Sequence, residues 1–173
     1  MTAEKLLKAL WLPLVALALF LTAAMFRPLF PIDETRYMSV AWEMISRNGW
    51  LQPLTMNFEP YSHKPPMLFW LINLFWTIFG VHRWAGLIPI VLSSLTVVFL
   101  TVELGRKLIP EDRFSPFKIT LLMLGSIPFL IYNTLVLFDL TLTVCVLGAF
   151  LSLLNYAQKR QFRYMALMGL FMG

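Results

Sequence analysis

Three polar points along a largely apolar chain hold residue types that can do chemistry. The first is Asp33-Glu34, directly after the first apolar block. The second is Tyr61-Ser62-His63-Lys64-Pro65-Pro66, and the third is Asp139, alone between two apolar blocks. A carboxylate held at hydrocarbon depth costs several kcal/mol, so such an acid is a functional candidate by default. The bland alternative for Asp139 is a turn residue reaching headgroups or water at a tight helical hairpin. For Asp33-Glu34 the alternative is an N-cap and first-turn pair complementing the dipole of a helix from Thr35. The two readings are compatible, since a capping residue can still present a carboxylate. Lys64 sits before two prolines, which hold the backbone stiff and extended and then open a helix. Lysines and helix N-termini both attract phosphate. Against that stands a lysine that merely snorkels to the interface. His63 could ligate a divalent metal, donate to a phosphate, or rest in the interface.

The elements that position these residues follow from composition. Of 173 residues, 59% are hydrophobic and 13% charged, and the mean hydropathy is +0.74. A soluble domain carries about 25% charged residues, so this chain lacks the charge to build a water-facing surface. The net charge of +5 does not point to nucleic acid. Its basic residues stand at the ends of apolar blocks, where orientation in a bilayer accounts for them. The lone cysteine, Cys145, lies in an apolar block with no partner for a disulfide or a metal, and reads as a small buried hydrophobe.

The apolar blocks lay out one truncated, all-α membrane domain over 1–173. A first span covers 6–26. Thr22-Ala23-Ala24 could suit signal cleavage, but the block exceeds the roughly 7–15 apolar residues of a signal sequence. The polar stretch 27–65 reads as an outer loop with amphipathic helices on the bilayer surface, the first over Thr35 to Arg47 and ended by Asn48-Gly49. The block 66–80 reaches roughly 21 Å at 1.5 Å per residue, short of a hydrocarbon core of about 30 Å, and reads as interfacial or re-entrant. Spans are expected over 85–104, 117–138 and 140–157, with a further one beginning at 164–173. The basic groups Lys5 and Lys8, Arg106, Lys107, Arg113 and Lys118, and Lys159, Arg160 and Arg163 share the cytoplasmic side if 66–80 does not cross. That puts 27–64 and Asp139 on the opposite side.

The order of these features resembles a known family. Arg27-Pro28-Leu29 leads into Asp33-Glu34-Thr35-Arg36-Tyr37. An amphipathic helix follows, then His63-Lys64-Pro65-Pro66 running into Leu68-Phe69-Trp70-Leu71, then Gly105-Arg106-Lys107-Leu108 and the isolated Asp139. This resembles the N-terminal region of bacterial GT-C glycosyltransferases of the protein-mannosyltransferase-like superfamily, the lipid A aminoarabinose transferases most of all. The resemblance implies a polytopic helical bundle of the bacterial inner membrane, surrounded by membrane lipids, with 27–65 as a periplasmic loop. It implies a polyprenyl-phosphate-linked sugar as donor, with undecaprenyl phosphate as carrier, and a lipid A-like or other envelope acceptor on the periplasmic face. Asp33 matches the base that activates the acceptor, with Glu34 supporting it or positioning the acceptor. Lys64 matches the contact to the donor phosphate. Asp139 matches an acid that orients groups or helps to hold a divalent cation, the one cofactor implied. His63 departs from the pattern, because the aminoarabinose branch often has Glu there; histidine can still bind zinc. Family enzymes are far longer, so this chain is expected to be inactive alone. A transporter or membrane scaffold is the rival reading, and it would place the charges near the bilayer midplane. A transferase gathers Asp33, Lys64 and Asp139 at one interface.

Overall fold

The computed structural model describes residues 3–47, 55–111 and 115–173. The described residues form a helical bundle with one minimal hairpin. In order they are α1 (Ala3–Phe26), α2 (Asp33–Ser46), β1 (Thr55–Met56), β2 (Glu59–Pro60), α3 (Met67–Phe79), α4 (Arg83–Leu108), α5 (Pro116–Leu124), α6 (Ile127–Tyr132), α7 (Phe138–Lys159) and α8 (Phe162–Met172). The expected stop at Asn48-Gly49 lies outside the described residues; α2 ends at Ser46.

Length and composition explain the long helices. At 1.5 Å per residue, the 26 residues of α4 span about 39 Å and the 22 of α7 about 33 Å. Both are apolar enough to cross a membrane. Their outward faces carry Leu92, Phe99, Leu142, Val146 and Phe150, all exposed, as a lipid-facing surface requires. Inside, small and hydroxyl residues let the backbones approach, as in other membrane bundles. Ser93 Oγ and Thr141 Oγ1 meet 3.4 Å apart between α4 and α7. At Gly86 of α4 a Cβ would stand 2.5 Å from Met38 Cε of α2, so glycine leaves room there for the methionine tip.

The bundle has two chemically distinct ends. At one, the last carbonyls of α1 meet the first turn of α4: Arg83 donates to the carbonyls of Ala23 and Ala24. A cation there satisfies acceptors that a helix C-terminus leaves open. The start of α7 lies at the same end. At the other end Arg106 and Lys107 close α4, and Lys107 Nζ donates to Gln158 Oε1 at 3.2 Å near the end of α7. Trp11 of α1 packs on Phe117 of α5, with ring centroids 5.3 Å apart, so α1 begins near the start of α5. We call these the site end and the basic end.

The chain returns from the basic end to the site end through 116–137, and here the sequence expectation needs correction. A single helix over 117–138 does not form. Helix α5 stops at Leu124, α6 runs Ile127–Tyr132, and Phe138 belongs to α7. Pro128 is the cause. It lacks the N–H that would bond the Leu124 carbonyl, and its ring clashes with a helix continuing from there. Gly125 closes α5, its N–H donating to the Leu121 carbonyl at 2.8 Å.

Helix α3 is 13 residues long, about 20 Å. It buries Leu68, Phe69, Ile72, Asn73 and Trp76 against α2 and α4. Its first residues adjoin the start of α7, and Trp76 Nε1 donates to the His82 carbonyl at 2.8 Å, just before α4. Both ends of α3 therefore lie at the site end. Gly80 makes the turn between α3 and α4 at φ +84°, a conformation that glycine adopts without penalty.

Candidate active site

The site end is built around α2, whose two first-turn carboxylates face different surroundings. Ile32 precedes them at φ 77°, an uncommon conformation for a β-branched residue. Asp33 is half-exposed, its side chain at 49%, and pairs with Arg36 one turn on. Glu34 points inward and is 0% exposed. Its Oε2 accepts from Arg27 Nη1 at 2.5 Å and from the Phe30 N–H at 2.6 Å. Its Oε1 accepts from Arg27 Nη2 at 2.8 Å and from the Val136 N–H at 2.6 Å. Arg27 also donates to the Thr134 carbonyl. Burial pushes the Glu34 carboxyl up, but the Arg27 hydrogen bonds, the Phe30 and Val136 amides and the Arg27 charge outweigh it and hold the group below its ordinary value. The buried carboxylate of the pair thus favours its ionised form, while Asp33 keeps an open face.

The far end of α2 positions the lysine. Glu43, buried, accepts from Thr55 Oγ1 at 2.6 Å and from the Phe58 N–H at 3.1 Å. This moors the hairpin Thr55–Pro60, in which Thr55 pairs with Pro60 and Met56 with Glu59. Asn57 and Phe58 turn it with positive φ. The chain then reaches Tyr61, whose ring meets Phe69 at 6.2 Å and His63 at 5.3 Å. Pro66 opens α3, its carbonyl accepting from the Trp70 N–H at 3.0 Å.

Aromatic rings join the two halves. Phe138 meets Tyr37 edge-on at 5.0 Å and Phe69 at 5.2 Å. Such contacts favour one fixed ring arrangement. Lys64 Nζ lies 5.7 Å from the Phe138 centroid and the Arg36 guanidinium 5.6 Å from that of Tyr37. Asp139 follows Phe138 in the first turn of α7 and is exposed. Burial pushes the Tyr37 phenol up, and the nearby Asp33 and Asp139 charges add to the rise. The structure therefore brings Asp33, Lys64 and Asp139 to one end around the rings of Tyr37, Phe69 and Phe138, and turns Glu34 away from them.

Two donors remain unused in this cluster. Tyr61 is 6% exposed, and its hydroxyl and the Arg36 Nε–H are buried without a hydrogen-bond partner. Burial pushes the Tyr61 phenol up, with Arg36 and Lys64 acting against it, so both cations are close by. Sequence reasoning missed Arg27, Arg36, Tyr37, Glu43 and Phe138 as site-forming residues. His63 is exposed beside Tyr61. Among the described residues no three His, Cys, Asp or Glu side chains converge as a metal site requires. His63 and Asp139 thus do not by themselves make a divalent-cation site.

The arrangement puts a cation on an aromatic face, unfilled donors beside it, and a half-exposed carboxylate nearby. That suits an anionic ligand with a proton-accepting group next to it. Comparison with known proteins bears on this. The family model described as dolichyl-phosphate-mannose-protein mannosyltransferase matches residues 63–173. The chain belongs to this family. The matched range takes in His63, Lys64 and Asp139, and this mannosyltransferase-family chain is a membrane protein built of transmembrane helices.

Several of its relatives are bacterial. It is 35% identical over 92 residues to the undecaprenyl phosphate-alpha-4-amino-4-deoxy-L-arabinose arabinosyl transferase of Enterobacter sp. (strain 638), covering 51% of this chain and 16% of that protein. It is 30% identical over 168 residues to the protein of that name from Yersinia pestis (strain Pestoides F), covering 90% of this chain and 29% of the relative. The crystal structure of ArnT from Cupriavidus metallidurans bound to undecaprenyl phosphate superposes with a TM-score of 0.80 at 20% identity, over 99% of this chain and 32% of that one. The chain spans a third or less of the length of these relatives. The structural likeness shows that the fold of the matching part of that protein extends over nearly the whole of this chain.

Proposed function

We propose that this chain supplies the donor-phosphate side of a membrane glycosyltransferase, which moves a sugar from a polyprenyl phosphate to a lipid A-like or other envelope acceptor. The observation that carries the reading is the gathering of Asp33, Lys64 and Asp139 at one end around Tyr37, Phe69 and Phe138. A transporter reading asks for charges at mid-depth in broken helices; the cluster at the bundle's end disfavours it. The named substrates of the Enterobacter and Yersinia relatives support undecaprenyl phosphate as the carrier.

In this reaction an acceptor oxygen attacks the anomeric carbon of the sugar. The bond from that carbon to the phosphate oxygen breaks, and its electron pair leaves on the phosphate. Lys64 faces the charge that builds there, and a preorganised cation stabilises it far better than water does. The Tyr61 hydroxyl and the Arg36 Nε–H have no partner and stand ready to donate to the same group. Asp33 takes the proton of the acceptor hydroxyl, as a positioned carboxylate can, and Asp139 orients the groups that meet it. No step in this reading passes through a divalent cation. In the cell, the basic end faces the cytoplasm and the site end the periplasm of a bacterial inner membrane. Helix α3 then lies along the outer interface, a placement supported by its length and by its two ends sharing the site end. Further spans, as in the longer relatives, complete the donor site.

Two reconstitutions test this. Residues 1–173 in lipid vesicles, given a polyprenyl-phosphate sugar and lipid A, are expected to transfer none. A chimera carrying this chain in place of the matching part of the Yersinia relative is expected to transfer sugar to lipid A, read by mass spectrometry, and to lose that activity with Lys64→Ala. Equal transfer by the Lys64→Ala chimera would refute the assignment.

A further inference from the structure

We propose that the Arg27–Glu34 ion pair is a clasp that sets the spacing of the site, and that Glu34 is a positioning residue rather than a group that meets substrate. This deepens the proposed function and rests on its assignment of Asp33, Lys64 and Asp139.

The argument begins with counting. An ionised carboxylate has about four acceptor positions. Glu34 fills four: two with Arg27, one with the Phe30 N–H and one with the Val136 N–H. With 0% exposure, it has neither an open lone pair nor a path for an acceptor sugar. Its partners come from three places. Arg27 directly follows α1, Phe30 lies in the turn before α2, and Val136 lies in the segment that opens α7. Arg27 adds a second hold on that segment through the Thr134 carbonyl. Residues more than a hundred positions apart are joined here by charge-assisted bonds in a dry setting, where such bonds are strong.

What the clasp fixes follows from the sequence. Asp33 is the residue before Glu34. Phe138 and Asp139 come two and three residues after Val136. Phe138 is the ring that Lys64 rests on, 5.7 Å away. The clasp therefore fixes the backbone of the proposed base relative to that of the phosphate-binding face. The Tyr37–Phe138 contact of 5.0 Å joins the same two elements by side chains only.

Spin labels test the spacing directly. In a Cys145→Ala background, labels are placed at Ser39 of α2 and Leu142 of α7, both exposed. The 173-residue chain is then measured in lipid vesicles by double electron–electron resonance. The parent is expected to give one narrow distance. Glu34→Gln is expected to add a second, displaced component. Because breaking one side of a buried pair can unfold a chain, the paired change Arg27→Met with Glu34→Leu is the deciding variant. Apolar replacement of both partners is often tolerated, yet it removes the hold on Thr134 and Val136. It is expected to keep its helical circular dichroism and to show the displaced component. An unchanged distance in the folded double variant would overturn the clasp.

Kinetics of the chimera separate positioning from catalysis. With Glu34→Gln, kcat is expected to fall by about 100-fold, the order of loss from a 1 Å misplacement, while the pH profile keeps its shape. Loss of the acidic limb in Glu34→Gln would make Glu34 a titrating catalytic group and overturn the proposal. Asp33→Asn is expected to remove that limb. If it does not, the assignment of the base fails, while the spacing result stands or falls by itself.

Discussion

Lys64 holds its ammonium over the Phe138 ring, a contact worth about 0.5–1 kcal/mol at an exposed site, which leaves its charge uncancelled. Its attraction for an anion is therefore largely intact. Lys64→Ala is expected to weaken undecaprenyl phosphate binding roughly 10- to 100-fold, the loss of one charged hydrogen bond of about 1.5–3 kcal/mol. Lys64→Arg is expected to keep part of it. Equilibrium binding in nanodiscs measures both. Glu34 makes a second prediction at this scale. Its folded pKa lies below the unfolded value, so the unfolded chain binds the proton first as the pH falls. The stability it contributes is full above the unfolded value of about 4.3 and is lost as the pH drops through the lower folded value. Thermal unfolding in detergent is expected to be flat in this contribution from pH 5 upward and to fall toward pH 3. In Glu34→Gln that part of the fall should vanish. The inward turn of Glu34 was legible in principle. It precedes Tyr37, Met38 and Ala41 by three, four and seven residues, the spacing of one helical face, and all three are buried. Its charge hid it, because an acid after an apolar block reads first as a first-turn residue. Its partners were not legible at all. Nothing local ties Arg27 to Thr134.

Element by element, the long apolar helices announced themselves, and the breaks did not. The blocks 85–104 and 140–157 fall within α4 and α7, because length and hydropathy alone define a crossing helix. The return over 116–137 looked like one more such block. Gly125 and Pro128 were the marks of its break, outweighed by the apolar run around them. The amphipathic pattern from Thr35 found α2 but gave no hint of what its end does. Glu43 there anchors the hairpin that delivers His63 and Lys64. Glu43→Ala leaves the Thr55 hydroxyl and the Phe58 N–H without their acceptor, at a cost of about 1–3 kcal/mol. Hydrogen exchange at the Phe58 amide is expected to quicken, and phosphate binding to weaken although no ligand contact is touched. Unchanged exchange at Phe58 would remove Glu43 from this role.

At the scale of the whole molecule, charge is sorted by end. The cations of the basic end gather around ring faces and each other: Lys159 lies 5.8 Å and Arg163 4.9 Å from the Tyr164 centroid. At the site end Arg27, Arg36 and Arg83 are held by Glu34, by Asp33 and by the last carbonyls of α1. Orientation in the proposed arrangement is set by the first group. In vesicles of a Cys145→Ala background, Cys at position 64 and Cys at position 139 are expected to react with a membrane-impermeant maleimide from the same face. Cys at position 107 is expected to react only from the other. Labelling of 64 and 139 from opposite faces would dismantle the site.

The seat of Lys64 carries a cost for turnover. In the proposed reaction the carrier arrives as a phosphodiester with one negative charge. It departs as a monoester, whose further proton is lost near pH 6. A cation resting on a ring has no anion to return to, so it grips the spent lipid harder than the loaded one. Free undecaprenyl phosphate should therefore compete with its own sugar-bearing form, and increasingly so as the pH rises from 5 to 7. An inhibition constant no lower than the KM for donor, and flat over that range, would mean that some other group holds the departing chain.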